Sequence, residues 1–377
     1  MDSFQSRYDA NNGSSFNPGQ TVLFDIPQQK NKPILDQCYL QFETTMTSSG
    51  GTPSFGRTGA YSVIQKIRVS SGGQLLQECQ YANYEMGKLV LGQDLGNGEN
   101  LDELIYCANQ ESGQLCQLFL GKLMGFFDKS STYPLHLASL QIEITLQSAA
   151  IALQPLDATP LTGSDYSVVD PRIVFRFQQM SEQDNLDFEE YLNDKLNGDG
   201  VELNFLDYDV FPESVASSET LKTINLNSIT QHRNCVALNC APINATTQVE
   251  NATDKFIPTK NNNDLNYSFN LNGVKQPNQD VDLSKNLNSV QSAEIDHVMK
   301  AIGLNDGKGI LAWNNLYSNY FSYARRLAPR GQSIDMNNKQ AQLTIQYGGS
   351  GNGSVVYCFC YFIKTVVFTK NGIRTYS

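Results

Sequence analysis

SEQDNLDFEEYLNDKLNGDG, residues 181–200, is the clearest helical stretch in a sequence that is otherwise typical of β-strands. Its apolar side chains recur at i, i+3, i+4 and i+8, which places them on one helical face: Phe188, Tyr191, Leu192 and Leu196. Ser181 or Asp184 can cap the start of this helix, and Gly198 and Gly200 end it. The stretch therefore predicts a short helix between two β-rich segments of nearly equal length, with these four residues packed against them.

The composition indicates a globular protein rich in strands. The 377 residues are 40% hydrophobic and only 17% charged, and the chain is long enough for two domains with separate cores. The net charge of −11 argues against a protein that coats nucleic acid, because phosphate neutralisation requires clustered Lys and Arg. Residues 1–32 carry three basic and three acidic side chains, so they have no net charge. We therefore expect no direct sequence-specific binding of nucleic acid.

Residues 1–20 are polar and lack the apolar segment of a signal peptide. We therefore expect synthesis in the cell interior without signal-directed secretion. No stretch approaches the ~20 apolar residues of a membrane span. The eight cysteines contain no CxxC pair, which predicts reduced, mostly buried thiols: Cys38, Cys79, Cys107, Cys116, Cys235, Cys240, Cys358 and Cys360.

Period-2 alternation marks the strands. In LASLQIEITLQ, residues 137–147, Leu140, Ile142, Ile144 and Leu146 point one way and polar residues the other. AQLTIQY, residues 341–347, occupies the same place in the second half. Further expectations are strand pairs between residues 21–27 and 38–46 and between 221–227 and 235–243, strands over 60–69 and 151–154, and helices over 81–91 and 290–302.

The two halves repeat the same order of elements. Landmarks lie about 200 residues apart in sequence: Thr21 with Leu221, Ile67 with Phe269, Gly73 with Gly273, and Ile144 with Ile345. This repetition predicts an all-β chain of two tandem eight-stranded antiparallel jelly-roll barrels joined by a short helix. The predicted divisions are a flexible or draped N-terminal arm over 1–17, a first jelly roll over 18–180, the linker helix over 181–200, and a second jelly roll over 201–377.

The sequence contains no pattern that supports catalysis. His136, His232 and His297 are scattered, and GLNDGKGI at 303–310 departs from a phosphate loop in spacing and lacks its Ser or Thr. GGSGNGS at 348–354 lacks the second Gly of a nucleophile elbow. Two ideas about metal remain open: Cys358 with Cys360 given two further ligands, and calcium at Asp207/Asp209 or Asp280/Asp282. We expect no catalytic residue, cofactor or bound metal.

Three stretches carry a resemblance to a known family. They are FLGKLMGFFDKSSTYPLHLASLQIEITL (119–146), RIVFRFQQM (172–180) with the linker helix and GVELNFLDYDVF (200–211), and FSYARRLAPRGQSIDMNNKQAQLTIQY (321–347). Together they resemble the double jelly-roll major capsid proteins of icosahedral DNA viruses, the lineage of adenovirus hexon and of tailless phages with internal membranes. The resemblance covers about residues 17–377. Residues 134–137, Pro-Leu-His-Leu, depart from the family's pattern.

This resemblance implies a structural protein of the virion that self-assembles. Three chains would form a pseudo-hexameric capsomer, and capsomers would build an icosahedral shell with penton and minor capsid proteins. The N-terminal arm would lie at the inner face, against neighbours, minor proteins or an internal membrane. Four segments are candidates for outward-facing loops: 48–59, 92–99, 244–263 and 306–315.

A tandem β-sandwich that binds glycans or serves in attachment is the alternative function. Its sugar-stacking candidates are Tyr317, Tyr320 and Tyr323. An enzyme with a metal site in a jelly roll ranks third, because the chain has only 3 histidines.

Overall fold

A computed structural model describes residues 3–29, 34–56, 58–87, 113, 115–127, 135, 137–178, 181–244, 251–253, 255–258, 264–283, 301, 322–329, 332–349 and 353–377. The predicted helix over 290–302 lies outside these residues, apart from Ala301. Within the described residues, no helix is long and apolar enough to cross a membrane.

The first half of the described chain forms two main sheets. Their orders along the sheet are β1-β11-β4-β8 and β3-β9-β6-β7, with β2 beside β11 and a small β10-β5 pair. The strands are β1 (Ser3–Asp9), β2 (Ser15–Phe16), β3 (Thr21–Ile26), β4 (Ile34–Thr47), β5 (Pro53–Ser54), β6 (Ile64–Ser71), β7 (Gln74–Gln80), β8 (Leu115–Phe119), β9 (Leu140–Leu146), β10 (Gln154–Pro155) and β11 (Asp165–Gln178).

The second half repeats this arrangement. Its sheets have the orders β12-β20-β14-β17 and β13-β19-β15-β16, with β18 beside β14 and β21 beside β20. The strands are β12 (Val201–Val215), β13 (Leu221–Asn225), β14 (Asn234–Asn244), β15 (Asp264–Leu271), β16 (Val274–Asp282), β17 (Tyr323–Arg326), β18 (Ile334–Asp335), β19 (Ala341–Tyr347), β20 (Ser354–Thr369) and β21 (Gly372–Tyr376).

Both halves have the topology of a jelly roll. Eight strands of each half form the barrel when β2, β5, β10, β18 and β21 are left out of the count. One sheet of each half then contains the first, eighth, third and sixth strands, in that order. The other sheet contains the second, seventh, fourth and fifth. The same eight-stranded order in both halves confirms the predicted double jelly roll.

The predicted strand pairs are wrong. β3 pairs with β9, whereas β4 pairs with β11 and β8, so these consecutive strands lie in different sheets. In the second half β13 pairs with β19, and β14 with β20. Alternation identifies the buried face of a strand but not its partner, so it could not distinguish a hairpin from a connection between two sheets.

The N-terminal segment also differs from the flexible or draped arm expected over residues 1–17. β1 pairs with β11 from Ser3↔Gln178 to Asp9↔Arg172 and is the first strand of the first barrel. The rings of Tyr8 and Phe175 lie 6.0 Å apart, edge to face. The polar sequence of this strand concealed it, because β1 lies at the edge of its sheet and its alternation is weak.

Two short segments have another conformation than predicted. Gly59–Val63 is a buried 3-10 helix that precedes β6, in place of a strand beginning at residue 60. Ala149–Ala152 is a single helical turn, in place of a strand over 151–154. Tyr61 and Val63 belong to residue types that favour strands, so the sequence did not distinguish this buried turn from the strand that follows it. Residues 82–87 are helical, within the helix expected over 81–91.

Each barrel has an apolar interior formed by the buried faces of its strands. In the first barrel Leu140, Ile142, Ile144 and Leu146 of β9 are all buried, as their alternation predicts. In the second barrel Leu343 and Ile345 of β19 join a buried cluster with Phe269 and four cysteines.

Contacts divide the chain into two compact units whose boundaries do not follow the sequence halves. The first unit contains residues 1–83, 102–207 and 364–377, and the second contains 84–101 and 208–363. The second unit therefore includes a segment that follows β7. Within that unit the ring of Tyr84 stacks 4.0 Å from the ring of Tyr357, and the hydroxyl of Tyr361 donates to the buried Glu85 carboxylate over 2.7 Å.

We expect Tyr361→Phe to lower the free energy of unfolding by about 1–3 kcal/mol, because it removes a hydrogen bond from a carboxylate that is only 2% exposed. Tyr376→Phe is the matched control, since Tyr376 is 54% exposed, and its effect should stay within about 0.5 kcal/mol. Urea denaturation measures both. Equal effects of the two substitutions would show that Tyr361 does not fix this segment.

Candidate functional site

The central helix, Glu182–Asn197, lies between the last strand of the first barrel and the first strand of the second. The Ser181 hydroxyl accepts a hydrogen bond from the backbone N–H of Asp184 and donates to the Asp184 carboxylate over 2.6 Å. The acidic residues Glu182 and Asp184 lie in the first turn and Lys195 in the last, which matches the helix dipole. The helix is therefore defined by local interactions that can be read from its sequence.

The four residues of its predicted packing face differ in exposure. Leu192 is buried at 8% exposed, Phe188 and Leu196 are half-buried, and Tyr191 is 55% exposed. The rings of Phe188 and Tyr191 lie 6.5 Å apart, and the Lys195 ammonium is 5.9 Å from the Tyr191 ring centroid. In the single chain this face is thus covered mainly at Leu192, and its packing in an assembly stays a prediction.

The end of the helix is fixed to β20 through glycine. The backbone N–H of Gly200 donates to the Lys195 carbonyl over 2.8 Å, and the N–H of Lys370 donates to the Leu196 carbonyl over 3.1 Å. Gly200 has φ +94°, and a Cβ there would lie 2.7 Å from the Phe368 carbonyl oxygen. Only glycine both adopts this positive φ readily and lacks the Cβ that would overlap Phe368. Gly200 therefore permits the close approach of the start of β12 to β20.

A buried polar cluster around Asp207 lies in the first compact unit, which also contains Gly200. The Asp207 carboxylate, 3% exposed, contacts the Lys364 ammonium at 3.1 Å and accepts from the Gln77 side-chain amide over 2.8 Å. The Gln77 carbonyl oxygen accepts in turn from the Phe126 backbone N–H over 3.0 Å. The cluster ties β12, β20 and β7 together, and each of its buried polar groups gains a partner.

Three of the four carboxylates considered for calcium, Asp207, Asp209 and Asp280, have protein cations as partners. Besides Asp207 with Lys364, Asp209 accepts from the Arg233 guanidinium over 2.8 Å, and Asp280 pairs with Lys275 at 2.8 Å. The described residues contain no group of three or more His, Cys, Asp or Glu placed to hold a metal ion. The calcium hypothesis therefore finds no support at these positions.

The remaining candidates are buried, exposed without a catalytic arrangement, or not described. Seven cysteines are free and buried, including Cys358 and Cys360, and Cys107 lies outside the described residues. Burial raises the pKa of the Cys358 and Cys360 thiols well above its ordinary value, which keeps them protonated and unreactive. His232 is exposed in a turn.

Several predicted positions lie outside the described residues: His136, His297, Tyr317, Tyr320 and the segments 92–99, 303–310 and 306–315. Tyr323 is described and buried, and its hydroxyl donates to Asp264 over 2.7 Å, so it cannot stack on a sugar. Burial, followed by the Asp264 charge, raises the pKa of Tyr323 well above its ordinary value.

Substitution of Gly200 by Ala should lower the free energy of unfolding by about 2–3 kcal/mol, because a Cβ there combines an unfavourable φ with backbone overlap. Gly349→Ala serves as the control, since its φ is negative and no atom lies within 4 Å of the added Cβ. Thermal or urea denaturation compares the two. Equal stability of the Gly200 and Gly349 variants would contradict the proposed close approach.

Asp207→Asn should cost about 3–5 kcal/mol, because it leaves the Lys364 ammonium without its buried counter-charge. Asp280→Asn removes an exposed pair of the same type and should cost no more than about 1 kcal/mol. Urea unfolding of both variants tests the difference. A loss below about 1 kcal/mol in the Asp207 variant would mean that the buried pair is not needed.

Comparison with known proteins gives a clear result at the level of structure only. No protein-family model matches the sequence, and a search of the curated proteins finds no match. Among solved structures, PBCV-1 VP54, fitted into a reconstruction of the virophage Sputnik, is similar with a TM-score of 0.59 at 13% identity. The match covers 99% of this chain and 96% of that one.

Two further similar structures are major capsid proteins. That of Faustovirus gives a TM-score of 0.57 at 9% identity over 98% of this chain and 90% of its own. That of mavirus gives 0.53 at 9% identity over 98% of this chain and 89% of its own. The likeness extends over both barrels, so this chain has the double jelly-roll fold of the capsid proteins of large DNA viruses and virophages.

Proposed function

We propose that this protein is a viral major capsid protein, which self-assembles as pseudo-hexameric homotrimers that build an icosahedral shell. One observation carries the proposal: a single chain contains the same eight-stranded barrel twice, with identical strand order in both copies. The capsid proteins of Faustovirus and mavirus support it, because their likeness to this chain covers nearly its whole length.

Duplication has a direct consequence for assembly. Three chains supply six barrels of one topology, so a closed ring with threefold symmetry presents six similar sides. Such a ring fits a lattice position with six neighbours, which a single-barrel protein fills with six chains. On this proposal the central helix connects the jelly roll of residues 18–180 to that of residues 201–377. It thereby sets the second barrel of a chain beside the first.

The proposed role is structural and requires no catalytic step. Burial of surface between subunits supplies the stabilisation, and obligate interfaces of this kind cover thousands of Å². The proposed location is the virion, where capsomers contact one another, penton proteins and minor capsid proteins, and an internal membrane is a further candidate partner. Because β1 is paired within the first barrel, these contacts are assigned to surfaces other than a free N-terminal arm.

We expect the purified protein to have a solution mass of three times its 41.9 kDa chain mass. Size-exclusion chromatography with multi-angle light scattering, over a hundredfold range of concentration, measures this mass. The trimer should persist on dilution, because an interface of obligate size dissociates slowly. A monomer at every concentration would overturn the proposal and favour the glycan-binding alternative.

A further inference from the structure

A surface cleft of about 200 Å³ lies on the outer face of the β3-β9-β6-β7 sheet. Its lining residues are all uncharged and polar except for one lysine: Gln65, Lys66, Gln80, Tyr81 and Thr145. Side chains with amide and hydroxyl groups offer both donors and acceptors to a ligand rich in hydroxyl groups.

The sheet itself places these side chains together. Lys66 of β6 is paired with Thr145 of β9 on one side and with Gln80 of β7 on the other. These three residues therefore form one row across three strands, on the face opposite the buried Ile67. The position of each group in the row is set by the pairing of rigid strands.

Two local irregularities border this row. The register between β6 and β9 shifts between Ile64 and Lys66, so Gln65 is the extra residue of a β-bulge. Tyr81 has φ +52°, a conformation that few residues other than Gly, Asn and Asp adopt. Bulges and such strained residues concentrate at functional sites, where they direct side chains that a regular strand would direct elsewhere.

Lys66 makes no ion pair among the described residues, and the nearby Glu78 and Glu143 carboxylates are paired with Arg68. The adjacent cation on the same face, Arg68, contacts Glu78 at 2.7 Å and Glu143 at 3.4 Å. Lys66 is half-buried. An ammonium group held in a cleft without a counter-ion favours a ligand that carries one negative charge.

We propose that this cleft binds a single carboxylated sugar ring of a glycan. The carboxylate would accept from Lys66, the ring hydroxyls would bond to Gln65, Gln80 and Thr145, and Tyr81 would cover the apolar face of the ring. The cleft is smaller than the ~300–1,000 Å³ of sites for drug-sized ligands, which limits the ligand to one ring. A phosphate is disfavoured, because the lining supplies a single lysine and no arginine to neutralise its higher charge.

The test titrates the intact assembled protein with sialyllactose and with lactose, followed by saturation-transfer NMR. Inorganic phosphate, which has no carbon-bound hydrogen to observe, is measured by its competition with sialyllactose. We expect saturable binding of sialyllactose, with lactose and phosphate at least about tenfold weaker, because only the first has both a ring and a carboxylate. Absence of saturable sialyllactose binding would overturn the proposal. Equal binding of lactose would overturn the role of the charge, and equal binding of phosphate would reduce the site to a simple anion site.

Variants separate binding from folding. Lys66→Gln should weaken sialyllactose binding about tenfold or more, whereas Lys370→Gln, an equal change of charge at an exposed turn, should leave it unchanged. Tyr81→Asn should abolish binding, because Asn tolerates the same backbone conformation but has no ring to cover the sugar. Full binding by the Lys66 variant would contradict the assignment. Light scattering on the same samples reports assembly independently, so failure here leaves the proposed capsid function standing.

Discussion

Pairing of the first strand with the eighth closes one sheet in each barrel. β1 pairs with β11, which follows more than 150 residues later, and β12 pairs with β20 at a similar separation. Closing such long loops has an entropic cost that grows only slowly with length, so burial of the barrel interior can offset it. Once these pairs form, each half has a defined first and eighth strand, and the remaining six strands can fill two facing sheets. Hairpins join β6 to β7, β15 to β16 and β20 to β21, and long-range pairing defines the rest of the main sheets.

Much of this fold could be predicted from local patterns. The β9 strand was identified by alternation of Leu140, Ile142 and Ile144, and the central helix by its apolar spacing and its Ser181 cap. Repetition of landmarks indicated two copies of one barrel. Alternation alone could not identify the partner of a strand outside a tight hairpin, because a period of two specifies a face and not a neighbour. β1 was missed for a related reason, since its sequence is mostly polar and its partner lies on β11.

The contacts at the candidate sites were likewise not predictable from local sequence patterns. Asp207 was recognised as an alternating carboxylate on a strand, but its partner Lys364 lies 157 positions away, and no local pattern connects them. The cleft beside Lys66 depends on a bulge at Gln65 and on the backbone of Tyr81, and neither leaves a signal in the sequence. The glycine at Gly200 could be predicted as a helix end, whereas the close approach of Phe368 that requires it could not. The sequence therefore shows which chemical groups are present, but it does not show which of them come into contact in the fold.

We propose that one chain supplies two barrels of the same topology to a threefold capsomer. Electron microscopy of the purified assembled protein tests it most directly, through class averages viewed along the symmetry axis. The account predicts particles of pseudo-hexagonal outline, with six barrel-sized densities arranged in three pairs and exact symmetry that is only threefold. Isolated two-lobed particles, or rings in which the number of barrels is not six, would contradict it.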